Sequence, residues 1–224
     1  MTDALPDELP STPMPLFQAW LDEATAAAQT PNPNAFVLST AAVDDGAAVP
    51  SARVVLCKAV YETPGFIVFY TNYSSHKARE LDDQPHAAAT FHWDSAGRQV
   101  RIAGPVVKSP DSESDAYFAS RSWQSRLGAW ASEQSQPVVS REAMFDKLRA
   151  AWRAHGVEYP YGNGAAAPIE RPPGWGGFRL WAASVELWVD GDARVHDRAR
   201  WSRELRRTAD GFTPGDWTAT RLQP

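Results

Sequence analysis

Two short apolar runs, at residues 54–60 and 66–71, are the feature that most restricts the fold of this chain. Both are rich in β-branched and aromatic residues, and the five residues between them include a Pro-Gly pair, which is typical of a turn. The sequence therefore predicts a β-hairpin here. Further short runs predict strands at 35–42, 87–93, 98–107 and 217–222, and one or two strands at 176–190. This spacing favours an antiparallel barrel or sandwich over a sheet built from βαβ units.

The helices and the domain organisation follow from the rest of the pattern. Helices are predicted to begin near residue 13, residue 78, residue 110 and residue 140, and a loop is predicted at 159–173. The length of 224 residues suits one large domain or two small ones. We expect a flexible N-terminal arm at residues 1–12 and a single domain at residues 13–224.

Composition excludes several function classes. The formal net charge of -5 argues against a general nucleic-acid binder. One cysteine, Cys57, excludes an intrachain disulfide framework and a multi-cysteine zinc site, and its place in a strand predicts a core residue rather than a nucleophile. We expect no bound metal. With no signal peptide and no long apolar run, we expect a soluble cytoplasmic protein with no membrane partner.

Polar residues collect at the ends of the predicted hairpin. Arg53 and Lys58 bracket its first strand, and the second strand leads through Thr71 into Ser74-Ser75-His76-Lys77. Hydroxyls and cations are the groups that bind a phosphate monoester. Alternation within one strand places Arg53 and Lys58 on opposite faces, so they would bind two different phosphates. The alternative, which this stretch fits equally well, is a sheet edge guarded by charged residues.

Two other groups of polar residues carry a functional and a structural interpretation. Tyr117 and Arg121 lie four apart on one predicted helix face, and Ser125 extends that stripe if the helix persists. The stripe can hold one phosphate, or it can simply be solvated. Residues 194, 196 and 198 lie two apart, so an extended strand would place Arg194, His196 and Arg198 on one face. That face can hold an anion or an electron-rich ring, or it can be an exposed polar edge.

Six segments then occur in the order in which one known family has them. They are P-S-A-R-V-V-L-C-K, F-Y-T-N-Y-S-S-H-K, R-Q-V-R-I-A-G, Y-F-A-S-R-S-W-Q-S-R-L-G-A-W-A-S-E-Q-S, W-G-G-F-R and R-V-H-D-R. In these segments, over about residues 16–224, the chain resembles the pyridoxamine 5′-phosphate oxidases. The resemblance implies an α+β, mainly β fold: an antiparallel split β-barrel that binds FMN, with flanking helices. It also implies a homodimer with two FMN sites at the subunit interface.

The resemblance implies a role for individual residues. Residues at positions that contact FMN in the family are Arg53, Val54, Val55, Leu56, Cys57, Lys58, Tyr70, Thr71, His76, Lys77, Gln99, Gln134, Ser135, Trp188 and Arg198. Residues at positions that bind the phosphate of the substrate are Lys58, Tyr117, Arg121 and Ser125. Arg194 and His196 match the residues that cover the pyridine ring, and they are the candidate catalytic residues.

The activity implied by the resemblance is oxidation of pyridoxamine and pyridoxine 5′-phosphate to pyridoxal 5′-phosphate, with O₂ reduced to H₂O₂. One alternative is a relative with the same barrel that acts on a phenazine precursor or a deazaflavin-linked substrate. The phosphate-binding positions argue against it, because a substrate without a phosphate does not need them. The other alternative is a non-catalytic module that binds FMN or pyridoxal phosphate.

The sequence departs from the family in two places. His76 stands where the family commonly has a second arginine for the FMN phosphate, and the loop at residues 159–169 is longer than usual.

Overall fold

The computed structural model describes residues 4–157 and 168–224. Five α-helices lie in these residues: α1 (Met14–Ala27), α2 (His76–Asp83), α3 (Asp111–Ser120), α4 (Trp123–Ala131) and α5 (Arg141–Ala154). The strands are β1 (Ala35–Asp44), β2 (Ala47–Leu56), β3 (Ala59–Tyr61), β4 (Phe66–Asn72), β5 (His86–Trp93), β6 (Arg98–Lys108), β7 (Trp175–Trp181), β8 (Ser184–Val189), β9 (Asp197–Ser202), β10 (Leu205–Arg207), β11 (Phe212–Pro214) and β12 (Thr218–Leu222). The predicted loop at residues 159–169 falls almost wholly outside the described residues.

Ten of the strands form one sheet. Its main path runs β12-β9-β8-β6-β5-β1-β2, and a branch at β6 leads through β7 and β4 to β3. The neighbours along the main path are antiparallel, while β10 and β11 form a separate two-stranded sheet. This branched antiparallel sheet with five helices confirms the predicted α+β, mainly β class.

The chain forms two compact units. Unit 1 consists of Met1–Phe69, Asp83–Val107 and Arg179–Pro224, and unit 2 consists of Tyr70–Asp82 and Lys108–Phe178. The core of unit 1 follows from alternation along its strands: in β6, Val100 and Ile102 are fully buried while Arg101 is exposed. Aromatic rings complete this core, with the Phe91 ring centroid 5.0 Å from that of Phe17 and 5.0 Å from that of Phe36.

The predicted hairpin is confirmed, but its first strand is shorter than predicted. Residues 54–60 divide between β2, which ends at Leu56 and pairs with β1, and β3, which begins at Ala59 and pairs with β4. Cys57 and Lys58 form the break. The prediction that Arg53 and Lys58 occupy opposite faces of one strand is therefore wrong, because the chain changes its strand partner between them.

The helix stripe predicted in unit 2 is also interrupted. Helix α3 ends at Ser120, and Arg121 has extended backbone angles of φ -74° and ψ 153°. Ser122 then caps α4, since its Oγ accepts a hydrogen bond from the Ser125 N–H at 3.3 Å. The prediction that one helix carries Tyr117, Arg121 and Ser125 depended on a continuous helix, and it is wrong.

The residues before α1 make hydrogen bonds within unit 1. The Leu5 N–H donates to Asp197 Oδ2 at 2.8 Å, and the Trp201 indole donates to the Pro10 carbonyl at 2.8 Å. The flexible arm at residues 1–12 and the single domain at 13–224 stay predictions. No helix in the described part of the chain is long and apolar enough to cross a membrane.

Candidate active site

The candidate residues of unit 2 centre on a buried lysine. Lys77, in the first turn of α2, is only 7% exposed. Its ammonium donates to Gln134 Oε1 at 2.8 Å, to Thr71 Oγ1 at 3.0 Å and to Ser75 Oγ at 3.3 Å. Thr71 lies at the end of β4, and Gln134 follows α4, so three elements fix the position of this cation. A held cation surrounded by hydroxyl and amide groups suits a polyhydroxylated or phosphorylated ligand.

An aromatic stack supports the second cation of unit 2. The rings of Tyr70, Tyr117 and Trp175 lie nearly parallel, with 3.9 Å between the centroids of Tyr70 and Tyr117 and 5.4 Å between those of Tyr70 and Trp175. The Arg121 guanidinium lies 4.8 Å from the Trp175 ring centroid. This places Tyr117 and Arg121 on the same indole although they do not share a helix.

Arg121 has a buried donor atom, Nη1, that no acceptor in the described residues satisfies. Burial lowers the pKa of the Arg121 guanidinium, and the charge of Tyr117 opposes that effect. Arginine nevertheless stays protonated at neutral pH, so this buried donor gains most from a ligand that brings a negative charge.

A cavity of about 300 Å³ adjoins Arg121. Its lining consists of Asn72, Arg121, Ser125, Gly128, Ala129, Ser132, Gln134 and Trp175. A Cβ added at Gly128 would meet no atom within 4 Å, so this helical glycine leaves the cavity open. Ser125, whose Oγ lies 2.9 Å from Ser122 Oγ, supplies a hydroxyl to the same cavity.

Two further candidates of unit 2 are more exposed. The His76 side chain is 58% exposed, and its Nε2 lies 3.6 Å from Oε1 of the buried Glu80 one turn along α2. Ser135 follows Gln134 in the left-handed region with φ 69°, which turns the chain directly after the amide that meets Lys77. Left-handed backbone is uncommon at a residue with a Cβ and usually occurs at a turn.

In unit 1, Arg53 is held against the inner strand of a sheet edge. It lies on β2, the last strand of the main path, opposite Leu38 of β1. Its guanidinium donates to Thr40 Oγ1 and to Ser51 Oγ, and at 3.4 Å to the Leu38 carbonyl. Next to it, Val54 is 66% exposed, so this edge strand presents a fixed cation beside an exposed residue.

Strand β2 ends at Leu56, and Cys57 and Lys58 follow it. Val55 and Leu56 are half-buried, and Cys57 is buried. Burial raises the pKa of the Cys57 thiol to about 12, which keeps it protonated and unreactive at neutral pH. Lys58 is exposed, while its backbone N–H donates to the Val68 carbonyl at 2.8 Å.

Three candidates of unit 1 form one row across neighbouring strands. Gln99 on β6 lies directly opposite Trp188 on β8, and Trp188 lies directly opposite Arg198 on β9. The guanidinium of Arg198 donates to Glu186 Oε1 through Nη2 at 2.8 Å and through Nε at 3.3 Å. Buried Glu186 thus orients Arg198, and the row presents an amide, an indole and a guanidinium on one face of the sheet.

The prediction that Arg194, His196 and Arg198 share one extended face is wrong. Residues Asp192–Arg194 form a short 3₁₀ turn, Arg194 has a φ of 65°, and β9 begins only at Asp197. Arg194 is exposed on this turn, whereas the ring centroid of His196 lies 4.6 Å from that of Trp188. His196 therefore joins the row of Gln99, Trp188 and Arg198 through a ring contact instead of through strand alternation.

Family models and curated relatives match nearly the whole chain. A model described as pyridoxamine 5′-phosphate oxidase matches residues 22–156, and one described as the pyridoxine 5′-phosphate oxidase C-terminal dimerisation region matches residues 175–224. The chain belongs to the pyridoxamine 5′-phosphate oxidase family. The pyridoxine/pyridoxamine 5′-phosphate oxidase of Gluconobacter oxydans is 44% identical over 100% of both chains. That of Roseobacter denitrificans is 43% identical over 95% of this chain and 94% of its own.

Solved structures agree on the fold of this oxidase family. PhzG from Burkholderia lata 383, in complex with tetrahydrophenazine-1-carboxylic acid, is 30% identical, with a TM-score of 0.79 over 97% of this chain and 95% of its own. A pyridoxamine 5′-phosphate oxidase-related, FMN binding protein from Nostoc punctiforme is 17% identical, with a TM-score of 0.65 over 97% of this chain and 100% of its own. These likenesses confirm the predicted split β-barrel with flanking helices.

Sequence reasoning missed two buried residues that hold candidate cations in place. Thr40 is a partner of Arg53, and Glu186 is a partner of Arg198. Ser75, the buried partner of Lys77, was already among the hydroxyls that the sequence placed beside that lysine. Thr40 and Glu186 become neighbours of these cations only through strand pairing, which no local pattern reveals.

Proposed function

We propose that this chain is an FMN-dependent oxidase that converts pyridoxamine and pyridoxine 5′-phosphate to pyridoxal 5′-phosphate, with O₂ reduced to H₂O₂. The proposed enzyme class is pyridoxal 5′-phosphate synthase, an oxidoreductase that acts on a CH–NH₂ group with oxygen as acceptor. The observation that carries the proposal is the Arg121 guanidinium, whose buried Nη1 lacks an acceptor in the described part of the chain and borders a cavity of about 300 Å³.

The residues present fit FMN. FMN has a phosphate, a ribityl chain of hydroxyls and a flat ring, and it needs cations, hydrogen-bonding side chains and an open strand edge. Lys77 and Arg53 are cations held by hydroxyls, Thr71 and Gln134 can bind the ribityl chain, and β2 is an edge strand that is exposed at Val54. The further members of the proposed FMN set are Val55, Leu56, Cys57, Lys58, Tyr70, His76, Gln99, Ser135, Trp188 and Arg198. When bound, FMN takes a hydride from the substrate carbon and passes the electrons to O₂.

The phosphate of the substrate has its own proposed subsite. Arg121 and Ser125 line the cavity and supply a guanidinium and a hydroxyl, and Tyr117, whose ring stacks on that of Trp175, supplies a second hydroxyl. Lys58 belongs to this proposed set by its position in the family segment and adds an ammonium. A phosphate gripped far from the reacting carbon lets binding energy hold that carbon in a reactive orientation. Arg194 and His196 then cover the pyridine ring and orient its C4′ substituent.

We propose further that the chain acts as a homodimer with FMN sites at the interface. The support is the dimerisation-region model over residues 175–224, together with a β2 edge that pairs with no other strand among the described residues. Exposed valines on β1 and β2, among them Val37 and Val54, favour burial against a second copy.

The proposed function predicts a yellow protein with one releasable FMN per chain, and O₂ uptake on addition of pyridoxine 5′-phosphate. Absorbance after denaturation measures the flavin, and an oxygen electrode with peroxide detection measures turnover. Dephosphorylated pyridoxine is the matched control, and its turnover should be far slower because it has no group for Arg121. A protein that takes up FMN but oxidises neither compound would leave the non-catalytic module as the better interpretation. Equal rates on both compounds would favour a substrate without a phosphate, as in the phenazine alternative.

His76→Arg should tighten FMN about tenfold, or about 1.4 kcal/mol. A neutral imidazole offers a phosphate one N–H, whereas a guanidinium offers a charged fork. Glu80, 3.6 Å from the imidazole, competes for any positive charge at this position and sets an upper limit to the gain. Fluorescence titration of the apoprotein with FMN measures the affinity, with His86→Arg, at an exposed position outside the proposed site, as the control. Equal affinities for native protein and His76→Arg would exclude a role of residue 76 at the phosphate.

A further inference from the structure

The turn between β8 and β9 is held in a strained backbone conformation. Ala193 and Arg194 both lie in the left-handed region, with φ of 52° and 65°. Each costs on the order of 1 kcal/mol for a residue with a Cβ, and such strain persists only where the surroundings impose it. Gly191 permits the close return of the chain, because a Cβ there would lie 2.0 Å from the Val195 carbonyl oxygen. The turn thereby brings His196 back beside the residue that directly follows β8.

That residue is Asp190. Its Oδ1 lies 3.0 Å from Nδ1 of His196, and its backbone N–H donates to the Gly97 carbonyl at 2.8 Å. The His196 side chain is 20% exposed and that of Asp190 is 59% exposed. The Trp188 ring lies against the same imidazole, with the two rings tilted by 41°. His196 is therefore confined by a ring contact and by a carboxylate on its Nδ1 edge.

The shorter of the two contacts at Nδ1 favours a proton on that nitrogen. An unprotonated Nδ1 and a carboxylate oxygen are both acceptors, and at 3.0 Å they would repel each other. The Gly191 N–H is shared: it donates to Asp190 Oδ1 at 3.1 Å and, at the longer distance of 3.3 Å, points at His196 Nδ1. With a proton on Nδ1, the imidazole and the Gly191 N–H both donate to the carboxylate, and the longer contact from Gly191 to Nδ1 is given up for the shorter one between Nδ1 and Asp190.

We propose that Asp190 is a positioning residue that keeps the neutral imidazole of His196 in the Nδ1–H tautomer, so that Nε2 presents a lone pair. This inference rests on the proposed function, in which His196 lies at the substrate ring. Nε2 then accepts a hydrogen bond from the C4′ hydroxyl of pyridoxine 5′-phosphate. Without the carboxylate, the Gly191 N–H donates to Nδ1 and the ring proton moves to Nε2. Loss of Asp190 thus turns an acceptor into a donor at the same place.

The tautomer is measured directly by nitrogen NMR of histidine-labelled holoenzyme at pH about 8, above the usual titration of imidazole. The chain has five histidines, and the signals that disappear in His196→Ala identify those of residue 196. We expect a protonated Nδ1 in the native protein and in Asp192→Ala, which removes an exposed carboxylate from the same turn. In Asp190→Ala the proton should lie on Nε2. An unchanged tautomer in Asp190→Ala overturns the proposal.

Kinetics test whether the tautomer matters for the reaction. Asp190→Ala should lower kcat with pyridoxine 5′-phosphate about fivefold, with KM changed less than about twofold, because a hydrogen bond of ordinary strength is lost at the reacting group. Asp192→Ala should match the native rate. In a His196→Ala background the Asp190→Ala substitution should have no further effect, whereas an equal loss in that background would assign Asp190 a purely structural role and overturn the proposal. If the native protein itself oxidises no substrate, the proposed function fails while the NMR result still decides the tautomer.

Discussion

Arg121→Ala is expected to raise KM for pyridoxine 5′-phosphate roughly 10- to 150-fold while changing kcat far less. The reason is that a charge-assisted contact to phosphate is worth about 1.5–3 kcal/mol. The guanidinium is fixed over the Trp175 ring at 4.8 Å, and its buried Nη1 has no acceptor in the described residues. It therefore needs little reorganisation to bind the ligand. Initial rates over a range of substrate concentrations, with FMN saturating, separate the two constants.

Two variants sharpen this experiment. Arg149→Ala removes the same charge from α5, where Arg149 pairs with Glu142 at 2.8 Å and Asp146 at 2.7 Å, and it should leave KM unchanged. Arg194→Ala should lower kcat instead, since the proposal places Arg194 at the reacting carbon and not at the phosphate. The same rise in KM for Arg121→Ala and Arg194→Ala, with kcat intact in both, would contradict this division of roles.

Local patterns predicted the parts of this fold that depend on neighbours in sequence. The predicted strand at 98–107 is β6, in which Val100 and Ile102 are buried and Arg101 is exposed, because a strand presents its two faces in turn whatever surrounds it. The turn chemistry at residues 61–65 likewise predicted the hairpin, since Pro and Gly restrict the backbone directly. The family segments identified the candidate binding residues. Strand alternation alone did not distinguish these residues from charged residues that protect a sheet edge.

The failed predictions share a physical cause. The predicted stripe of residues four apart required the helix that carries Tyr117 to continue past Ser120. Instead, Ser122 forms a cap that begins a new helix. The prediction of one shared face required residues 194–198 to be extended. Ala193 and Arg194 instead adopt left-handed backbone angles, which the sequence does not indicate at residues other than glycine. In both cases the backbone changes direction within the predicted stripe. Arg121 lies over the Trp175 ring and His196 lies against the Trp188 ring, whereas Arg194 is exposed.

Lys77→Met is expected to weaken FMN binding by roughly 10- to 150-fold, the loss of one charge-assisted contact of about 1.5–3 kcal/mol. Lys77 is 7% exposed, and Thr71 Oγ1 at 3.0 Å and Gln134 Oε1 at 2.8 Å hold its ammonium in place. Methionine keeps most of the buried apolar stem and removes the charge, so packing changes little. Fluorescence titration of the apoprotein with FMN at constant ionic strength measures the dissociation constant.

The matched control for Lys77→Met is Lys108→Met, which makes the same change in unit 2 at a lysine that is 48% exposed and paired with Asp82 at 2.9 Å. It should alter the dissociation constant less than about twofold, because an exposed ion pair contributes little. Thr71→Val, which removes the hydroxyl and keeps the shape, should weaken FMN less than Lys77→Met does, since it leaves the charge and loosens only its position. If Lys77→Met binds FMN as tightly as Lys108→Met, this buried cation holds the first turn of α2 to its neighbours instead of holding the cofactor.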